Sequence, residues 1–241
     1  MDGLASTRRL FLLQGLLLGT VLVPGGCAWL PVRQGMRRVG SDTRIGERQV
    51  GEDALVKPGD KVSTGSGGRA VLVMGEDAFL LGMNTRLRFH EAWQPTPTPE
   101  PSVAPGELSP DVKSSAETAA DPRAKGFTLY SGRVLSVFGS GGRTLKIPTA
   151  TLGIRGTGIY LEVAEEQDYV CLCYGHLDIR MNDDPRITES YQAHHHSARI
   201  LAAHSPIRKA PGVNHTDEEL FMLEALVNRR PPFDPEDYSG H

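Results

Sequence analysis

Ile147-Pro148-Thr149-Ala150-Thr151-Leu152-Gly153-Ile154-Arg155-Gly156-Thr157-Gly158 is the stretch on which the fold turns. Thr149 and Thr151 fall on one face of an extended chain and Ala150 and Leu152 on the other, the period-two pattern of a half-buried strand. Gly153, Gly156 and Gly158 then let the backbone pass through a tight turn or bulge. Arg155, Gly156 and Thr157 are the candidate residues of that turn. The planar donor fork of Arg155 suits an internal anchor on a carboxylate or carbonyls, or alternatively an anionic ligand.

Outward from this stretch the chain keeps the same habit. Phe127-Thr128-Leu129-Tyr130, Arg133-Val134-Leu135-Ser136-Val137 and Thr144-Leu145-Lys146-Ile147 read as strands. So do Arg69 to Met74, Ala78 to Leu81 and the alternating Thr85-Arg86-Leu87-Arg88-Phe89. Ser-Gly-Gly-Arg occurs twice between such runs, at 66–69 and 140–143, a glycine turn or the trace of a duplication. The expected class is an all-β core, a compact β-roll or sandwich of short strands, with a C-terminal helix and a long proline-rich insert.

The insert, 94–126, holds Pro95, Pro97, Pro99, Pro101, Pro105, Pro110 and Pro122 and almost no large apolar side chain. Such a composition cannot bury a core and predicts an extended loop, either a spacer or a reach toward a cell-wall layer or partner. The helix is expected over 217–228. Thr216 with Glu219 three residues on reads as a capping box, and Leu220, Leu223, Leu226 and Val227 form an apolar stripe. Pro231-Pro232 ends it.

The Ile147–Val163 run, Gly59-Asp60-Lys61-Val62-Ser63-Thr64 after Val56-Lys57-Pro58, and Leu129-Tyr130-Ser131-Gly132-Arg133-Val134 together resemble the FecR-like periplasmic domain. The resemblance covers about residues 50–163 and places a FecR-like β domain at 44–163, interrupted by the insert. The iron-dicitrate regulators of that family pass a signal to a cytoplasmic sigma factor through a segment ahead of the membrane. Almost nothing here precedes Arg8, so the resemblance implies a domain lacking the cytoplasmic anti-sigma segment. It implies a noncatalytic cell-envelope sensory or binding module, and signal transduction by protein binding.

Residues 1–27 read as an export address. Arg8-Arg9 ahead of the apolar run from Leu10 to Val23 is the twin-arginine pattern, and the run is short for a membrane span. The two outcomes are a cleaved signal peptide and a retained N-terminal anchor. Gly25-Gly26 before Cys27 resembles a lipoprotein cleavage site, which makes Cys27 a lipidation candidate. The expected location is the bacterial periplasm or cell envelope, and the expected partner an envelope protein or cell-wall component. The formal net charge of −3 gives no electrostatic case for nucleic acid.

The segment 164–241 concentrates cysteine and histidine. Cys171 and Cys173 share one face of the strand-like Tyr169-Val170-Cys171-Leu172-Cys173-Tyr174. With His176, His194 and His196 they form a candidate zinc or copper site, and His204 and His215 lie further along. The competing readings are two small buried apolar residues or a disulfide of poor local geometry. No nucleophile elbow, phosphate loop, dinucleotide fingerprint or His-Glu-x-x-His string occurs. The chain is therefore expected not to be an enzyme. The alternative is an exported metal-binding protein or an envelope enzyme that uses the Cys/His-rich region.

Overall fold

The computed structural model describes residues 31–91 and 125–234. Seven strands lie within residues 31–91: β1 (Gly35–Val39), β2 (Arg44–Ile45), β3 (Arg48–Gln49), β4 (Lys61–Ser63), β5 (Ala70–Met74), β6 (Asp77–Leu81) and β7 (Arg86–Phe89). Within residues 125–234 come β8 (Gly126–Val137), β9 (Gly142–Lys146), β10 (Ala150–Val163), β11 (Asp168–Met181), β12 (Thr188–Ala193), β13 (Ser197–Leu201) and β14 (Arg208–Ala210). One helix, α1 (Asp217–Leu226), follows. The expectation of a β core with a C-terminal helix holds at this level. The insert and residues 1–27, with Cys27, lie outside the described residues, except that Lys125 and Gly126 are described and Gly126 opens β8.

The strands are not all short, and this corrects the reading of the sequence. β8, β10 and β11 run for 12, 14 and 14 residues. Each changes partners partway. The start of β8 pairs with β7 and β9, and its end with β6 and β10. β10 moves from β9 to β8, and β11 from β13 to β12. All fourteen strands form one hydrogen-bonded sheet whose path ends at β3 and β14, and it does not close into a barrel.

The three long strands bend at Gly132, Gly156 and Gly175, each with positive φ. At Gly175 (φ +100) a Cβ would stand 2.7 Å from the Gly156 carbonyl oxygen, so only glycine fits there. These bends fold the sheet over a core drawn from both halves, including Phe79, Phe89, Phe127, Leu152, Leu161 and Leu172. Phe79 meets Phe89, Phe127 and Phe138 edge-on. Segment 164–210 contributes β11–β14 to this same sheet.

The two halves differ on their outer faces. In one half, β7 and β9 alternate buried and exposed residues, as in Arg86-Leu87-Arg88-Phe89, and β2 and β12 alternate exposed and half-buried ones. In the other half β5 and β6 are buried throughout. There the outer face, with Val71, Val73, Leu80, Leu135 and Val137, packs against Leu220, Leu223, Val227 and Phe233. The helix has the expected capping box at Thr216 and Glu219, and it ends at Leu226, two residues short of the expected 228. Arg229 does not continue it but turns back to the buried Glu224, whose other oxygen accepts from the Tyr174 hydroxyl.

Candidate metal centre

Cys171 and Cys173 leave β11 on the covered outer face, both fully buried and not joined in a disulfide. The neighbouring strand β13 pairs across β11, Cys171 opposite Ala198, and the His196 amide donates to the Cys173 carbonyl at 3.0 Å. The corner between β12 and β13, His194 to His196, thereby lies beside the cysteines, and His196 takes a positive φ of 32° to turn inward. His215 arrives from the opposite direction, one residue ahead of the helix cap Thr216, and stacks on Tyr160 with ring centroids 4.6 Å apart.

Four donor atoms converge: Cys171 Sγ, Cys173 Sγ, His196 Nδ1 and His215 Nε2 all lie within 4.8 Å of one another. Cys171 Sγ is 3.6 Å from His196 Nδ1, and Cys173 Sγ is 3.3 Å from His215 Nε2. The two facing ring nitrogens are 3.0 Å apart. An ion about 2.3 Å from each sulfur and about 2.0 Å from each nitrogen belongs in a tetrahedral donor set of this kind.

The groups bonded to the far side of each ring fix which nitrogens are offered. His215 Nδ1–H donates to the Val213 carbonyl at 2.9 Å, which leaves Nε2 with its lone pair. His196 Nε2 bonds Asp217 Oδ1 at 2.8 Å, which leaves Nδ1 toward the cysteines. His195 Nε2 reaches the other oxygen of Asp217 at 3.0 Å. Two lone pairs facing each other at 3.0 Å require something positive between them, a proton or a metal ion.

The electrostatics point the same way. The Cys171 thiol is held well below its usual range, first by its hydrogen bond with Cys173 and then, against burial, by His196 and His215. Burial first, then Cys171, pushes Cys173 up. Burial alone would lower His196, but its bonds to Cys171 and Asp217 outweigh this and raise it. The surroundings thus favour the thiolate at Cys171, the form in which cysteine binds metal.

Of the five residues expected from the sequence, the structure brings Cys171, Cys173 and His196 together and sets His176 and His194 apart. His176 stands beyond the Gly175 bend, where the phase of the strand shifts, and bonds Asp178 at 3.1 Å and Ser190 at 3.3 Å on the open half. His194 is exposed in the corner and belongs to neither His/Cys/Asp/Glu cluster among the described residues. His215 takes the place they leave, 42 residues along the chain from Cys173. His204 is exposed and pairs with Asp183. The signal for His215 was its position against a strong helix cap, which ties it to wherever the helix docks.

Arg155, Gly156 and Thr157 form the bend of β10. The Thr157 hydroxyl donates to the Arg155 carbonyl at 2.7 Å and is fully buried, while the Arg155 side chain is exposed. Backbone and threonine make the turn. A cleft of about 330 Å³ is lined by Arg69, Arg133, Tyr160, Glu219 and His215 of the cluster.

No protein-family model matches the chain, and no curated protein matches it. Two solved structures are distantly similar, both of "a putative anti-sigma factor" from Parabacteroides distasonis, with TM-scores of 0.42 and 0.43 and 10% identity. The similarity covers 68% of this chain, and the chain spans 64% of the length of those structures.

Proposed function

We propose that the chain is a metal-binding β module of the cell envelope, holding a zinc or copper(I) ion between Cys171, Cys173, His196 and His215. The observation that carries this reading is the convergence of the four donors with both histidines already oriented by Val213 and Asp217. Two thiolates with two imidazoles suit zinc, and thiolate softness suits copper(I) as well. Four protein ligands fill a tetrahedral shell and leave no open position for a substrate. That supports a noncatalytic role, in which the ion staples the segment before α1 to β11. The Arg8-Arg9 pattern and the apolar run after it support an envelope location, with an envelope protein or cell-wall component as partner.

A thiol-based enzyme is the second reading. Cys171, His196 and Asp217 stand in the order nucleophile, base and orienting carboxylate. Cys171 is 0% exposed, however, and a thiol without access meets no substrate.

Elemental analysis of untagged protein separates the readings. The expected result is close to one zinc or copper per chain, lost in the Cys171→Ser/Cys173→Ser variant. Chelation should lower the unfolding free energy by about 4 kcal/mol relative to protein at a free metal concentration a thousandfold above Kd. A folded, metal-free protein that takes up neither ion, with a thiol that iodoacetamide alkylates without chelator, would sink the metal reading and favour the enzyme.

A further inference from the structure

We infer that the open face of the sheet is a docking surface for a linear acidic polysaccharide. The register aligns one row across six strands: Lys61 beside Arg88, Arg88 beside Thr128, Thr128 beside Lys146, Lys146 beside Thr151, and Thr151 beside Arg180. The four cations are all exposed. Five strand spacings set the row's length at about 24 Å. Among the described residues none of these cations has a carboxylate within ion-pair distance, although the whole chain is net acidic.

Such a row works against stability. Lys61 and Arg88 stand directly opposite each other, and like charges so placed destabilise a strand pair. A local rule broken without a compensating partner in the fold marks a functional surface. The field is felt at the row's centre: His90, 3.0 Å from the Thr128 hydroxyl, is lowered first by burial and then by Lys146 and Arg88. The interleaved threonines add hydroxyls that donate to or accept from a hydroxylated, charged ligand.

The shape of the charge selects the ligand. The adjoining row runs Gly126, Thr144 and Gly153 and ends on the Asp178 carboxylate, so the positive strip is narrow on that side. A narrow strip complements an extended polyanion better than a planar lipid surface. Single-stranded nucleic acid needs a succession of aromatic platforms for its bases. Tyr130, 50% exposed, is the single large exposed aromatic among the described residues. It lines a groove of about 520 Å³ with Lys61, Arg86 and Glu47, a fitting platform for one sugar ring.

The test uses the full chain and a fluorescent polygalacturonate oligomer, read by anisotropy. Four neutralised charges predict binding that weakens about 50-fold between 50 and 200 mM salt. Arg88→Gln/Lys146→Gln should weaken it at least about tenfold, as should Lys61→Gln/Arg180→Gln, with melting temperatures unchanged or raised. Arg208→Gln on β14, outside the row, should bind as the parent does. Absence of binding at 50 mM salt, equal loss in the Arg208 variant, or tighter binding to an oligothymidylate or to phosphatidylglycerol vesicles would overturn the proposal. The inference stands apart from the metal centre and is unaffected by that centre's failure.

Discussion

The two outer faces of this sheet belong to the same long strands yet obey different rules. On the covered half, β5 reads Ala-Val-Leu-Val-Met with every residue buried, because the helical segment seals a second interface. On the open half, β7 and β9 alternate, and their outward positions carry Arg86, Arg88, Thr144 and Lys146. The covered half spends its outward positions on packing and holds the Cys/His cluster among them. The open half leaves its outward positions to water and collects charge. A strand's sequence pattern therefore reports how many of its faces are buried, and the Cys/His cluster forms where the second burial happens.

The sharpest way to break the contrast is to attack the seal. Leu223→Ala removes a fully buried side chain from the helix and should cost about 2–5 kcal/mol by urea unfolding. Glu224→Ala should cost about 3 kcal/mol, because it strands the buried Tyr174 hydroxyl and leaves the Arg229 guanidinium only the Glu76 carbonyl. Tyr130→Ala, on the open half, should stay within about 0.5 kcal/mol. If the open-face change were as costly as the covered ones, the two faces would be energetically alike and the distinction would fail.

The bends that connect the halves give a second test. Gly175→Ala places a Cβ at φ +100 against backbone only 2.7 Å away, and should cost upwards of about 3 kcal/mol. Gly156→Ala has φ +53 and open space within 4 Å, and should cost only the left-handed penalty of about 1–2 kcal/mol. Equal losses at the two positions would mean that φ alone, without the close approach of β10 to β11, sets the bend.

Much of the covered half was legible in the sequence, for local reasons. Thr216 and Glu219 announce the cap, and Leu220, Leu223 and Val227 announce the packed stripe, all within three turns of chain. Cys171 and Cys173 were legible as a pair because the strand period puts them on one face. His215 was not, since nothing in its neighbourhood states where the helix docks; only the apolar face of β5, β6 and β8 does. His176 is the opposite case. Its nearness in sequence to Cys173 is undone by the Gly175 bend, which sends it to the other half. The length of β8, β10 and β11 was hidden by the same glycines, which punctuate a bent strand and a turn alike.

A small effect of the least usual sign is expected on the open half. Lys61 and Arg88 face each other on the open half, and no carboxylate among the described residues compensates them. Arg88→Thr keeps a β-favouring residue on an exposed strand position and removes the repulsion. It should therefore stabilise the fold by about 0.2–1 kcal/mol, with the gain shrinking as salt is raised and screening already does the work. Denaturant titrations at 20 and 500 mM salt measure both quantities. A loss of stability, or a gain indifferent to salt, would mean that Arg88 packs across the sheet through its aliphatic stem, and the open face would then rest on burial as the covered one does.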